Sequence, residues 1–191
     1  RPWLFVFAGP NGSGKSTIAP HVLGGFDPPL PFVNTDDIAR SLSPHDVAGV
    51  ALEAGRIAVR RMTSLLEAGA SFAIETTLSG FFQMRLAERA KELGWGVDLT
   101  FVFIRSPKSS VARVAARVNA GGHEVPSEDV VRRHPRSLEN LWKVLHLCDR
   151  WAILENSQQE PRLIAAGTES EVVVHDRATY RWLETFREKP R

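Results

Sequence analysis

The chain has 191 residues, of which 43% are hydrophobic and 24% charged, a size and composition that suit one well-buried globular domain and are short for two. No apolar run approaches the ~18 residues of a membrane span, no signal-peptide pattern opens the chain, and the single cysteine, Cys148, excludes an internal disulfide, so we expect a cytoplasmic protein without membrane contact. The formal net charge of +2 is too small to indicate nucleic acid as a partner.

The first predicted elements are a buried strand (residues 3–8) and a helix (about residues 14–23), joined by a glycine-rich loop. The loop matches the P-loop pattern G-x-x-x-x-G-K-[ST] at each fixed position. Its glycines leave backbone N–H groups open to a polyphosphate, and the helix start adds its positive dipole end. We expect Lys15 to reach the β- and γ-phosphates of ATP and the Ser16 hydroxyl to bind Mg²⁺. The predicted nucleotide-binding residues of this loop are Gly9, Asn11, Gly12, Ser13, Gly14, Lys15, Ser16 and Thr17.

A second short strand (residues 32–34) is followed by two aspartates and by a long amphipathic helix, predicted from about residue 43 to 68. Asp37 is expected to cap the helix that follows it, because aspartate accepts hydrogen bonds from free N–H groups at a helix start. For Asp36 we favour a catalytic role, since phosphoryl transfer to an alcohol needs a carboxylate that orients the hydroxyl and accepts its proton. A capping role for Asp36 is the alternative.

The third predicted strand (residues 71–75) ends in a carboxylate. Glu75 follows an apolar run, where a carboxylate is poorly hydrated unless it faces a cleft, so we expect it to contact a substrate hydroxyl or a metal-bound water. Thr76 and Thr77 are expected to add neutral hydrogen bonds to the substrate. A plain surface carboxylate is the alternative for Glu75. A helix (residues 82–93) and a fourth strand (residues 97–104) come next.

Two further helices (residues 107–119 and about 127–147) begin in a strongly basic part of the chain. Residues 105–136 contain seven basic and three acidic residues, so their charge of +4 exceeds that of the whole chain. We expect them to form an arginine lid, because γ-phosphoryl transfer spreads charge that a mobile arginine neutralises, and Gly121 and Gly122 would let the lid swing. A solvated basic helix surface is the alternative. His123 is expected to be a loop residue, not a catalyst or metal ligand.

A fifth strand (residues 151–155) ends at Asn156, and the remaining chain predicts a small appendage at about residues 160–191 with a two-strand ladder and a final helix. Strands that alternate with helices indicate parallel pairing. We therefore predict an α/β fold of the P-loop NTPase and kinase type: one domain over residues 1–191, with a five-stranded, mostly parallel sheet, helices on both faces and the arginine lid. Active groups belong at the carboxyl ends of the strands.

Two blocks of sequence are more specific than the P-loop: G-G-H-x-V-P, beginning at Gly121, and R-R-x-x-R-S-L, beginning at Arg132. With these blocks the chain resembles the zeta-toxin group of P-loop kinases over most of residues 4–165. Other positions carry the resemblance too: Asn34, Thr35, Asp36, Ile74, Glu75, Thr76, Thr77, Arg117, Asn140, Leu141, Asn156 and Ser157.

The resemblance implies an enzyme that moves the γ-phosphate of ATP to a hydroxyl of a small acceptor, typically a nucleotide sugar such as UDP-N-acetylglucosamine, with Mg²⁺ as cofactor. The resemblance also suggests an antitoxin protein as a partner. The resemblance implies that Lys15 and Ser16 bind phosphate and Mg²⁺. It implies that Asp36 is the base and that Glu75 contacts the acceptor. It also implies that Arg117, with Arg133 or Arg136, clamps the γ-phosphate and that Asn156 lies near adenine.

Two other functions remain open at this point. One is an NTP-hydrolysing switch or interaction module, in which water is the acceptor and no added metabolite is needed. The other is a polynucleotide 5′-hydroxyl kinase, for which the basic lid is an argument and the lack of an aromatic stacking strip a counter-argument.

Overall fold

The computed structural model of the chain describes residues 1–122, 125–158 and 160–187. Seven strands of these segments form a single sheet. They are β1 (Trp3–Ala8), β2 (Phe32–Val33), β3 (Phe72–Thr76), β4 (Gly96–Phe103), β5 (Arg150–Glu155), β6 (Arg162–Thr168) and β7 (Val172–Val174). The strand order is β2-β3-β1-β4-β5-β6-β7, with parallel pairing from β2 to β5. The predicted α/β class and the five parallel strands are confirmed, and the sheet has seven strands, not five.

The central strands are apolar along their whole length because both of their faces are covered. Residues 4–8 of β1 and residues 99–103 of β4 are all buried, as the continuous hydrophobic runs predict. β1 lies between β3 and β4. The chain runs from β1 to β2 on one side of it, and after β3 it crosses to β4 on the other side, so the strand order reverses at β1. The crevice at such a switch point is where open α/β sheets bind ligands. The loop after β1 therefore begins at the usual ligand-binding position of the fold.

Seven helices connect the strands or follow them in the described part of the chain. They are α1 (Lys15–Leu23), α2 (Thr35–Leu42), α3 (Ala51–Glu67), α4 (Phe82–Glu92), α5 (Pro107–Asn119), α6 (Ser127–Leu145) and α7 (Arg177–Glu184). Their apolar stripes, for example Ala54, Ala58 and Met62 of α3, are buried against the sheet. None of the described helices has the length and apolar character that crossing a membrane requires.

The helix predicted from about residue 43 to 68 is present only over residues 51–67, as α3, and a separate short helix that was not predicted, α2, lies before this region at residues 35–42. Asn34 caps α2, its side chain accepting a hydrogen bond from the backbone N–H of Asp36 at 2.9 Å. α2 ends at Leu42, and the residue after it, Ser43, has an extended backbone, the conformation favoured before a proline. Turns follow, and α3 begins only at Ala51.

The predicted C-terminal appendage is part of the main sheet. β6 pairs antiparallel with β5, and β7 with β6. Leu183 of α7 is fully buried in the same core as the central strands, and the Trp142 indole N–H of α6 donates to its carbonyl at 3.1 Å. The sequence suggested a separate ladder because both strands include exposed residues and β7 has only three residues.

The two helices predicted for the lid are present, and α5 has the predicted bounds. α5 ends in a Schellman-type cap: the N–H of Gly121 donates to Val118 and that of Gly122 to Arg117. Gly121 has a φ of +87°, which explains the glycine at this position. The predicted loop residue His123 lies outside the described residues.

Candidate active site

A cleft of about 620 Å³ opens at the carboxyl ends of β1, β2 and β3, under the start of α6. Residues from six helices, the phosphate loop and two strand ends share it. Its lining comprises Asn11, Gly12, Gly14, Lys15, Ser16, Thr17, Asn34, Thr35, Asp36, Ala48, Ala51, Glu75, Thr76, Thr77, Gln83, Arg113, Arg117, Val125, Pro126, Asp129 and Arg133. Most of the site residues predicted from the sequence are therefore brought to one cavity.

The phosphate loop (residues 9–17) packs tightly against the neighbouring strands. Gly9 has a φ of +140°, and a Cβ there would lie 1.8 Å from the carbonyl oxygen of Val102. A Cβ on Gly14 would lie 2.4 Å from Nδ2 of Asn156, and this same amide donates to the carbonyl of Ser13 at 2.8 Å. Gly9 is thus required by a backbone contact inside the protein, and Gly14 is favoured by its φ of +96°, in addition to any approach of a phosphate. Asn156 contacts the loop through this hydrogen bond and does not line the cleft.

Lys15 is the cation at the centre of the cleft. It is only 6% exposed, and its ammonium donates to the carbonyl of Pro10 at 3.0 Å. Burial lowers the pKa of Lys15, and the carboxylates of Glu75 and Asp36 oppose that shift. The positive charge of Arg117, which also lines the cleft, lowers the pKa of Lys15 further.

Glu75, in β3, connects the start of α1 with the residue that follows β2. Its Oε1 accepts a hydrogen bond from the Ser16 hydroxyl at 2.9 Å, and its Oε2 accepts one from the Asn34 amide at 3.2 Å. Burial raises the pKa of Glu75, an effect that the nearby Lys15 opposes. Glu75 is thus a half-buried carboxylate facing the cleft and not a plain surface residue.

The oxygen atoms in this part of the cleft are suitable for Mg²⁺. The Ser16 hydroxyl and the Glu75 carboxylate are in contact, and the charge of Asp36 acts on both Lys15 and Glu75. Hard oxygen donors are the ligands that Mg²⁺ prefers, and it keeps several waters and phosphate oxygens. Residues 1–122, 125–158 and 160–187 hold no group of three His, Cys, Asp or Glu side chains that would bind a metal by itself.

Asp36 and Asp37 occupy different positions in the first turn of α2. Asp36 is half-buried and lines the cleft. Asp37 has a 54% exposed side chain and forms an ion pair with Arg40. The prediction that Asp37 caps the helix is wrong, because Asn34 is the cap and the helix begins two residues before Asp37.

The threonines after β3 differ in role. The Thr76 hydroxyl accepts a hydrogen bond from the N–H of Leu78 at 3.0 Å, and it is nearly buried. Leu78 has a φ of +53° and is held further by the Asn140 amide, which donates to its carbonyl at 2.9 Å. The Thr77 hydroxyl pairs with that of Ser79 at 2.9 Å. Both threonines line the cleft, but Thr76 also fixes the shape of the loop.

Only some of the lid arginines line the cleft. Arg117 and Arg133 line it, as does Arg113, whose guanidinium donates to the carbonyl of Gln158 at 3.4 Å. Arg136 does not line the cleft and is exposed, because it lies about 4.5 Å further along α6 than Arg133. Arg105 is also outside, where it pairs with Glu155 at 2.8 Å.

Sequence reasoning missed Asp129, Gln83 and the bridging role of Asn34. Asp129 lines the cleft and accepts hydrogen bonds from Arg132 and, at 3.1 Å, from Arg133. The two arginines hold the pKa of Asp129 below its usual range. The four-residue spacing from Asp129 to Arg133 is a signal that could have identified this pair. No pattern in the sequence indicates that Gln83 reaches the cleft.

Comparisons with known proteins agree with this fold. The sequence model of the zeta toxin family matches residues 1–178. An uncharacterized protein of Haemophilus influenzae (strain ATCC 51907 / DSM 11121 / KW20 / Rd) is 32% identical over 126 residues, which are 66% of this chain and 87% of that protein.

Among solved structures, AvrRxo1-ORF1:-ORF2 with ATP superposes with a TM-score of 0.80 at 20% identity, covering all of this chain and 66% of that chain. The chain thus spans slightly less than two thirds of that protein's length. A chain of the PezAT chromosomal toxin-antitoxin system of Streptococcus pneumoniae has a TM-score of 0.65 at 17% identity, covering all of this chain and 81% of that chain. These two likenesses show the fold, and the family model, which covers most of the sequence, shows that the chain belongs to the zeta toxin family.

Proposed function

We propose that this protein is an ATP-dependent phosphotransferase that moves the γ-phosphate of ATP to a hydroxyl of a small acceptor. Membership of the zeta toxin family supports a kinase-type enzyme. The observation that carries the specific reaction is the cleft itself, whose lining Asp36 shares with the phosphate loop and three lid arginines. A carboxylate beside the phosphate loop can orient an acceptor hydroxyl and accept its proton, as phosphoryl transfer to an alcohol requires.

In the proposed reaction, the acceptor oxygen attacks the γ-phosphorus. The new oxygen–phosphorus bond forms as the bond to the β,γ-bridging oxygen breaks, ADP leaves, and the hydroxyl proton passes to Asp36. Lys15 binds the phosphates, and Arg117 and Arg133 neutralise the charge that spreads over the equatorial oxygens. Mg²⁺, bound through Ser16, would add Lewis-acid stabilisation of the same charge.

Other residues of the site support binding in this proposal. The phosphate-loop residues hold the triphosphate, with Asn156 fixing the loop through the Ser13 carbonyl. Glu75, Thr76 and Thr77 face the acceptor, which the family resemblance suggests is a nucleotide sugar such as UDP-N-acetylglucosamine. Asn156 donates its amide to the loop, so a contact with adenine would involve its other atoms or its neighbours.

The test is incubation of the protein with labelled ATP, Mg²⁺ and a panel of UDP-sugars, free sugars, nucleosides and oligonucleotides. We expect a phosphorylated small molecule, identified by its mass. Phosphate release that is equally fast without any acceptor would contradict the proposal and support an NTP-hydrolysing switch. A labelled oligonucleotide 5′ end would support a polynucleotide kinase instead.

We also propose an antitoxin as a protein partner. A chain of the PezAT toxin-antitoxin system shares the fold over the full length of this chain. The requirement for ATP and the single, buried cysteine fit the cytoplasm as the site of action. Co-expression with a neighbouring open reading frame, followed by purification through a tag on one chain, tests whether a stable complex forms.

A further inference from the structure

Asn11 differs from the other buried polar side chains that line the cleft. Lys15, Asn34 and Thr76 share its burial, with at most 9% exposure, and each of them has a hydrogen-bond partner. The Oδ1 atom of Asn11 is also buried, but it has no hydrogen-bond partner in the described part of the chain. An unpaired buried acceptor destabilises the folded protein, so its presence in a ligand-binding cleft favours a partner that arrives with the ligand.

Asn11 lies at the end of the phosphate loop where the γ-phosphate is expected. The ammonium of Lys15, which reaches the β- and γ-phosphates in this motif, donates to the carbonyl of Pro10 at 3.0 Å, and Asn11 is the next residue. The opposite end of the loop, at Gly14, contacts Asn156. The unpaired oxygen of Asn11 is therefore expected to border the phosphoryl group that is transferred in the proposed reaction.

The partner of the Asn11 oxygen has to be a hydrogen-bond donor. The oxygens of a triphosphate are acceptors, like the amide oxygen itself, so they do not pair with it. A guanidinium has five N–H groups in a planar fork, so it can donate to a phosphate and to an amide oxygen at the same time. An arginine that binds the γ-phosphate would therefore satisfy both acceptors.

Arg117 is the lid arginine whose surroundings fit this contact. Its helix, α5, packs on the phosphate loop, since a Cβ on Gly12 would lie 3.3 Å from the Cβ of Arg113. Arg117 lies one turn beyond Arg113 on the same face of α5 and lines the cleft, and its charge lowers the pKa of Lys15. Gly122 leaves room for the Arg117 side chain, because a Cβ on Gly122 would lie 2.6 Å from the Cγ of Arg117.

We propose that Asn11 is a positioning residue for Arg117. In the ATP-bound state, the carboxamide oxygen of Asn11 accepts a hydrogen bond from the Arg117 guanidinium, whose other N–H groups bind the γ-phosphate. ADP has no γ-phosphate, so the contact distinguishes the two nucleotides. This inference rests on the proposed phosphotransferase function, in which Arg117 neutralises the charge of the transferred group, and it identifies what holds that arginine in place.

Calorimetry with ADP and with a nonhydrolysable ATP analogue, both in the presence of Mg²⁺, tests this role in the full chain. We expect Asn11→Ala to bind the ATP analogue about tenfold more weakly, which is the effect of one hydrogen bond to a charged group, and to bind ADP with nearly native affinity. Equal losses of affinity for the two nucleotides would overturn the inference, because they would mean that the amide only shapes the loop.

Ser110→Ala is the matched control. The Ser110 hydroxyl is also buried without a partner in the described part of the chain, but it does not line the cleft. We expect both affinities to stay nearly native in this variant. Asn11→Leu keeps the volume of the Asn11 side chain, so it decides the outcome if Asn11→Ala lowers the Tm. The same selective loss is expected for Asn11→Leu, and equal losses for ADP and the ATP analogue would contradict the inference.

A double-variant cycle identifies the partner of Asn11. In an Arg117→Ala background, Asn11→Ala should cause no further loss of affinity for the ATP analogue, whereas in an Arg133→Ala background it should cause its full tenfold loss. A full loss in the Arg117→Ala background would overturn the inference, because the amide would then act on the γ-phosphate without this arginine. These are binding measurements, so absence of a phosphorylated product with every acceptor would count against the phosphotransferase alone.

Discussion

The phosphate loop and the arginine lid face each other across the cleft, but they are held in place in different ways. Two buried or half-buried side chains hold the loop through its backbone carbonyls: Lys15 donates to Pro10, and Asn156 donates to Ser13. The lid arginines are exposed or half-buried, and Arg133 depends on an ion pair with Asp129. Exposed ion pairs stabilise a geometry only weakly.

This difference indicates a division of tasks between the two regions. A loop whose shape is fixed by backbone contacts is ready to bind a triphosphate before the ligand arrives, which lowers the entropic cost of binding. A lid held by surface charges is free to exchange its ion pairs for contacts with the γ-phosphate. Changes in the loop should therefore alter ATP affinity, and changes in the lid should alter phosphoryl transfer and the discrimination of ATP from ADP.

The largest effect is expected for Lys15→Met in the loop. It removes the buried cation that binds the phosphates, and we expect kcat/KM for ATP to fall roughly 100-fold or more. Lys108→Met, at an exposed position of α5 that does not line the cleft, is the matched control. Steady-state kinetics measure both variants, and equal losses would show that the phosphate loop has no special role.

The next largest effect is expected in the lid. Arg133→Ala removes a guanidinium that lines the cleft, so transfer should fall on the order of 100-fold while the Kd for ADP changes little. Arg136→Ala, on the same helix but outside the cleft, should remain within about twofold of the native rate. Single-turnover rates with saturating ATP provide the comparison, and a larger loss in Arg136→Ala would reverse the assignment of the γ-phosphate clamp.

A smaller effect is expected where the loop meets β5. Asn156→Ala removes the amide that holds the Ser13 carbonyl, a loss of about 1 kcal/mol, so the Kd for ATP should rise about fivefold with little change in the transfer rate at saturation. Ser157→Ala is the control, because its hydroxyl bonds Glu155 and not the loop. A change in the rate of transfer without a change in ATP affinity would contradict the positioning role.

The smallest effect is expected for Asp129→Asn. Loss of its charge releases Arg133, and the preference for an ATP analogue over ADP should fall about threefold in calorimetry. If Asp129 acts only through Arg133, the substitution has no further effect in an Arg133→Ala background. Additive losses in the double variant would mean that Asp129 contacts the ligand directly.

Features that depend on local sequence were predictable, and those that depend on distant contacts were not. The P-loop pattern located β1, the loop and α1, and Pro107 and the periodic apolar residues gave α5 its bounds. The short helix α2 was missed because its cap, Asn34, was assigned to the preceding strand, and because the aspartates of its first turn are weak helix formers.

The predicted sheet topology identified only some of the residues that line the cleft. The rule that active groups lie at the carboxyl ends of parallel strands predicted that Asp36 and Glu75 would converge with the phosphate loop. Gln83 and Asp129 reach the cleft from helices, so their places depend on how those helices pack over the sheet. The packing of α6 over the sheet also decides that Arg133 lines the cleft and Arg136 does not, a difference that the sequence alone could not predict.

The central claim is that Asp36 accepts the proton of an acceptor hydroxyl. The most direct test compares Asp36→Asn with Asp37→Asn, which makes the same change in charge one residue further along α2, at an exposed side chain outside the cleft. We expect Asp36→Asn to keep its ATP affinity while transfer falls about 100-fold or more, and Asp37→Asn to transfer at a nearly native rate. Native transfer by Asp36→Asn would contradict the account.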